Sequence, residues 1–136
     1  MKKIIALDLG DQWVGIALSD ILQMLAKPYM TVRADELVTT LTTLFKKESL
    51  ETVVIGYPKT MKGTHSKQTE KVIEIKNNLE KLFPEMHFVL WDERLSSKRA
   101  EHLQHKKTKE AALQSHARAA AFILDSYLTF KINQKN

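Results

Sequence analysis

Apolar and polar positions follow two different rhythms along this chain. From Ile4 to Leu7 the residues are apolar without a break, and Asp8, Leu9 and Gly10 follow. A short apolar run bounded by a turn reads as a buried strand, here over residues 2–9. A second run predicts a strand over 13–19, antiparallel to the first because only a short turn separates them. A third extended stretch over about 25–33 carries Pro28, which places it at an edge or a bulge. Leu37, Leu41, Leu44 and Phe45 recur at helical spacing, so an amphipathic helix is expected over 35–47 with Asp35 as its cap. Residues 52–55 read as a short strand that stops at Gly56-Tyr57-Pro58. A polar loop over 59–64 leads into a helix over 66–82, with Val72, Ile75, Leu79 and Leu82 on one face. Ser66 and Thr69 are its candidate starts, and Pro84 ends it. Residues 87–91 form another strand, which runs into Asp92 and Glu93. Residues 96–104 look helical, and 105–109 read as a flexible basic loop. The last helix is expected over 111–130, with Leu113, Ala117, Ala120, Leu124 and Leu128 facing the core and a frayed tail beyond it.

Three early strands followed by alternating helix and strand predict an α/β fold, a mixed five-stranded sheet flanked by helices. A chain of 136 residues is expected to form a single domain over 1–136. No apolar run approaches the length that spans a bilayer. The short run after Lys2 and Lys3 is broken by Asp8, so no signal peptide and no membrane partner are expected. The absence of cysteine excludes disulfides, thiolate zinc sites and a cysteine nucleophile, and it fits a reducing, cytoplasmic setting.

Charge changes the picture through its placement. The net charge is +5, and the segment from Arg94 to Arg118 carries all of it: seven Lys or Arg against two acids, Glu101 and Glu110. His102, His105 and His116 fall in the same segment. A basic patch on an otherwise balanced chain suggests a polyanion partner, although charge runs also serve as solvated faces. No aromatic residue interleaves the patch to stack on a base.

Two strands run into carboxylates, Asp8 and the pair Asp92-Glu93. Ligands of open α/β sheets bind beyond the carboxyl ends of strands. Carboxylate oxygens suit Mg²⁺ or Mn²⁺, and such ions support phosphodiester hydrolysis. The residues alone leave bland readings open. Asp8 also fits an Asp- and Gly-rich hairpin turn, and Asp92 fits a helix cap near Ser96 or a partner of Arg94. Asp11 and Asp20 are open between a supporting role at a metal and turn chemistry.

Asp8-Leu9-Gly10 with Gly15-Ile16-Ala17 and Ser19-Asp20 resembles the opening motif of the YqgF/RuvX family. Val53-Val54-Ile55-Gly56-Tyr57-Pro58 with Met61 and Gly63 is similar to the family's next strand and loop. Asp92-Glu93-Arg94-Leu95-Ser96-Ser97 with Ala100 resembles its acidic motif, and Ala119-Ala120-Ala121 through Ile123-Leu124 to Tyr127-Leu128 its last helix. The matches lie in order and span nearly the whole chain. The resemblance implies an RNase-H-like fold and a nuclease, either one that processes the 5′ end of pre-16S rRNA or a Holliday-junction-resolvase-like enzyme. It implies Asp8 and Glu93 as metal-binding and catalytic carboxylates with Mg²⁺ or Mn²⁺. The family's third acid, early in the last helix, is replaced here by His116, which can bind a metal or act as a base. A basic residue usual after Gly10 is also missing, with Gln12 and Trp13 in that stretch. Asp125 lies nine residues beyond His116, half a turn round the helix, and cannot stand in for the acid.

The expected function is therefore a metal-dependent endonuclease on structured RNA, with Asp8, Glu93 and His116 at its site. Arg94, Lys98, Arg99, Lys106, Lys107 and Lys109 would grip phosphates. Junction DNA is the close variant. A non-catalytic nucleic-acid-binding factor in ribosome maturation or transcription is the alternative that His116 motivates. A sugar-kinase-like fragment is disfavoured by length. A monomer or weak homodimer is expected.

Overall fold

The computed structural model describes residues 2–57, 67–92 and 109–134, the side chains of 109–113 excepted. The strands are β1 (Lys3–Leu9), β2 (Trp13–Ser19), β3 (Ala26–Arg33), β4 (Leu50–Tyr57) and β5 (His87–Asp92). The helices are α1 (Leu37–Lys47), α2 (Lys67–Leu82) and α3 (Lys109–Gln134), and a short 3₁₀ turn, Ala34–Glu36, precedes α1. The strands form one sheet in the order β3-β2-β1-β4-β5. β1, β2 and β3 are antiparallel neighbours, whereas β4 runs parallel to β1 and β5 parallel to β4. The mixed sheet flanked by helices is as expected.

Side-chain alternation divides this sheet into two faces. Ile5, Leu7, Leu9, Val14, Ile16, Val53 and Ile55 pack with Leu41, Leu44, Val72 and Leu79 of α1 and α2. Ile4, Ala6, Ala17 and Val54 pack on the other face with Ala120, Ile123, Leu124 and Leu128 of α3. The central strand β1 is covered on both faces, which is why its sequence is apolar without alternation. Phe45 and Phe83 meet edge to face at 4.8 Å and join α1 to the end of α2.

β3 is the sheet edge on one side. Its register against β2 shifts between Ile16 and Ala17: Ile16 pairs with Met30 and Ala17 with Pro28. Tyr29 is thus an extra residue, a bulge next to a proline that has no N–H to offer. Both devices blunt an edge against unwanted strand pairing. The loop before β3 is held by Asp20, whose Oδ1 accepts the N–H groups of Met24 (2.8 Å) and Leu25 (2.9 Å). Gln23 sits there in the left-handed region at φ 58°. Its amide donates to the Lys2 carbonyl at 2.8 Å and to Glu51 at 2.6 Å.

Several expectations change. β4 starts at Leu50 and continues through Tyr57, beyond the 52–55 expected, because pairing with β1 and β5 extends it. Asp35 does not cap α1: it lies in the 3₁₀ turn and pairs with Arg33 at 3.5 Å. Leu82 is 56% exposed, outside the core. Thr69 lies inside α2, fully buried, not at its start. α3 begins at Lys109 and runs on through Lys131 to Gln134, where a loop and a frayed tail were expected. Lys131 Nζ donates to Gln23 Oε1 at 3.1 Å, which anchors that last turn. Ser66 and the helix expected over 96–104 lie outside the described residues.

Truncating Leu124 to Ala, between α3 and the sheet, should cost about 2–5 kcal/mol in urea denaturation. Leu82→Ala should stay within about 0.5 kcal/mol. The backbone N–H groups of Leu25 and then Met24 hold the Asp20 carboxyl below its usual value. Its contribution is therefore present above the unfolded carboxylate value and is lost as pH falls through the lowered folded one. Acid titration of Asp20→Ala should show less stability lost in that window than the parent chain.

Candidate nuclease site

β1 ends in the order Ile4, Ala6, Asp8 on its α3-facing side, since the intervening Ile5, Leu7 and Leu9 face α1 and α2. Asp8 is half-buried and pairs with Gly15 of β2. Directly opposed residues point to the same face, with Cα atoms about 5 Å apart. Gly15 lacks a side chain for a steric reason. A Cβ there would run into the carbonyl of His116 and would stand 2.8 Å from the backbone N of Ala117. The backbone of α3 rests on the sheet at this point, level with Asp8. Small residues along the contact, Ala6 and Ala17 beneath Ala117 and Ala120, permit the same close approach further down the helix.

The azimuth of α3 is set by its other end. Trp91 of β5 donates its indole N–H to Ser126 Oγ at 3.0 Å and meets Tyr127 edge-on at 5.4 Å. His116 precedes Tyr127 by eleven residues, about 20° beyond three full turns. It therefore lies on the same flank, toward β1 and β4. His116 is half-buried, and among the described residues its ring has no hydrogen-bond partner. Asp125 lies on the opposite flank, where it lines a cavity with Ala26 and Pro28 of β3. The half-turn separation read from the sequence holds.

Of the two acids expected to follow the strand, Asp92 is the last residue of β5, pairs with Tyr57 and follows Trp91, which packs toward α3. Alternation places Asp92 on the other face from Asp8, with β4 between their strands. Glu93 follows it directly in sequence and lies outside the described residues, as do Arg94, Lys98, Arg99, Lys106 and Lys107. Lys109 opens α3, but its side chain is not described. The two undecided acids resolve as structural. Asp20 holds its own loop, and Asp11 in the hairpin turn pairs with Lys71 of α2 at 2.9 Å. Among the described residues no three His, Asp or Glu side chains converge on a point. Asp8 nevertheless offers hard carboxylate oxygens, which suit Mg²⁺ or Mn²⁺, at the level of the sheet over which the backbone of His116 passes.

One feature had no sequence signal. On the far flank of α3 a groove of about 410 Å³ opens between the helix and β3, lined by Pro28, Tyr29, Met30, Thr31, Gln114, Ala117 and Arg118. Arg118 was counted within the basic segment, but Tyr29 comes from a distant strand.

A family model described as RuvX, Holliday junction resolvase, matches residues 2–130. A Staphylococcus carnosus protein named "Putative pre-16S rRNA nuclease" is 38% identical over 138 aligned positions, covering 93% of this chain and 94% of its own. A relative of the same name from Christiangramia forsetii is 37% identical, covering 94% and 98%. Among solved structures, T. thermophilus RuvC in complex with a Holliday junction substrate aligns with a TM-score of 0.58 at 12% identity, covering 97% of this chain and 96% of that one. At that identity the likeness concerns the fold, which RuvC shares.

Replacing Gly15 with Ala tests the contact. The added methyl meets backbone, which cannot swing aside, so α3 must shift. A loss of about 1–3 kcal/mol is expected in urea denaturation. The His116 ring resonances should move, whereas those of Trp91, at the other end of α3, should not.

Proposed function

This chain belongs to the RuvX, Holliday junction resolvase, family, and from that premise we propose that it is a metal-dependent endonuclease that processes the 5′ end of pre-16S rRNA in the cytoplasm. The observation that carries the reading is the alignment of Asp8, Gly15 and His116 across β1, β2 and α3. The backbone of His116 lies over Gly15, the strand partner of Asp8, at the carboxyl end of the central strand, where ligands of α/β sheets bind. Relatives of similar length carry a name that specifies this substrate.

In this reading Asp8 and Glu93 hold Mg²⁺ or Mn²⁺. The face taken by Asp92 removes it from the role and leaves Glu93. When bound, the ion supplies an acidified water and charge compensation for the leaving oxygen. The chain's own residues do the rest. Asp8 is held at the end of β1 by its pairing with Gly15 of β2. His116 serves as the general acid or base, the role open to an imidazole beside a reacting phosphate. Arg94, Lys98, Arg99, Lys106, Lys107 and Lys109 neutralise phosphates without reading sequence, so affinity falls steeply with salt.

Cleavage of a pre-16S 5′-leader transcript with Mn²⁺ is the test. Asp8→Asn and Glu93→Gln should each lower the rate by more than about 100-fold, beyond the 10–100-fold cost of a merely supporting group. His116→Asp, which restores the carboxylate common in the family, should retain cleavage. Full activity in both carboxylate variants would overturn the reading. His116 itself favours one second reading, a binding factor that does not cut: RNA binding insensitive to EDTA, with no cleavage under any metal, would select it. A four-way DNA junction in the same assay distinguishes the resolvase-like variant.

A further inference from the structure

The groove between β3 and α3 has the parts of a nucleotide site. Tyr29 is 40% exposed at its rim. It is the extra residue of the β3 bulge, paired with no residue of β2, and bulges characteristically re-aim a side chain beside a functional site. Arg118 faces it from α3, and among the described residues the guanidinium has no carboxylate partner. Arg118 and Pro28 also line the second cavity along the same flank. Asp125 lines only the second cavity and bounds the stretch hospitable to an anion. An aromatic face beside an unpaired arginine is the combination that holds single-stranded nucleic acid. The base stacks on the ring, and the phosphate meets the cation.

Position supports this. Thr31 in the groove pairs with Gly15, and Gly15 pairs with Asp8. Groove and carboxylate therefore stand at one level of the sheet, two strands or roughly 10 Å apart, on opposite flanks of α3.

We propose that this groove binds a single-stranded nucleic-acid segment, with a base stacked on Tyr29 and a phosphate on Arg118. The proposal rests on the nuclease reading above and assigns to it a second contact, for strand flanking the cut. It accounts for a basic segment that lacks its own aromatic: the fold supplies one from β3.

The experiment measures binding of a fluorescein-labelled twelve-nucleotide oligouridylate by anisotropy, at several salt concentrations, to the full chain carrying Asp8→Asn so that nothing is cut. Tyr29→Ala should weaken binding about 5- to 100-fold, and Tyr29→Phe, which keeps the ring, should restore it. Arg118→Ala should weaken binding and reduce the slope of log K against log salt by about one unit. Tyr29 is exposed, so its variants are expected to fold as the parent does, checked by circular dichroism. Unchanged affinity in Tyr29→Ala and Arg118→Ala, or no binding by the parent, overturns the groove and leaves the nuclease reading intact. Full cleavage in both Asp8→Asn and Glu93→Gln, with oligonucleotide binding still dependent on Tyr29, overturns the metal site assigned above and leaves the groove.

Discussion

The close seating of α3 on β2 governs the rest of the arrangement. The helix backbone at His116 and Ala117 lies so near the sheet that position 15 has no room for a Cβ. Further along the helix, Ala120, Ile123, Leu124 and Leu128 pack with Ile4, Ala6, Ala17 and Val54 of the sheet. Small residues give up side-chain burial, about 0.8 kcal/mol for each methylene not present. In exchange they set the height of one end of a helix against the carboxyl end of the central strand. That height decides where His116 stands relative to Asp8, and it leaves a gap on the other flank between α3 and the bulged edge strand.

The two faces of the sheet are unequal for this reason. The face against α1 and α2 is built from large aliphatic side chains and the Phe45–Phe83 pair, and it carries most of the apolar burial. The α3 face is thinner and bears the candidate chemistry: Asp8 at the strand end, His116 on one flank of the helix, and Tyr29 with Arg118 on the other. The two acids in the loops hold structure elsewhere. Asp20 is occupied by its own turn, and Asp11 ties the hairpin to α2.

Much of this was legible in the chain. The unbroken run Ile4–Leu7 announced a buried strand, and Pro28 announced an edge or a bulge, of which the structure has both. Asp8 and His116 could be singled out through motif order. What was misread follows a pattern. Leu82 continues the apolar face of α2, but periodicity does not report where the partner surface stops, and the residue projects past it. Asp35 looks like a helix cap, yet the chain enters α1 through a 3₁₀ turn and Asp35 turns to Arg33. The polar end of α3 carries little apolar signal, and it stays helical through Gln134 with Lys131 bonded to Gln23.

The sequence by itself determined the order of the elements, the apolar stripes of the helices, and the family. These depend on local periodicity and on motifs read in order. Only the tertiary structure decided that Gly15 is empty because His116 lies above it, that Asp92 faces away from Asp8, and that Tyr29 stands across a groove from Arg118. Those relations join residues far apart in the chain. Their distances follow from how closely helix and sheet can pack, a property of side-chain volumes in three dimensions that no local pattern records.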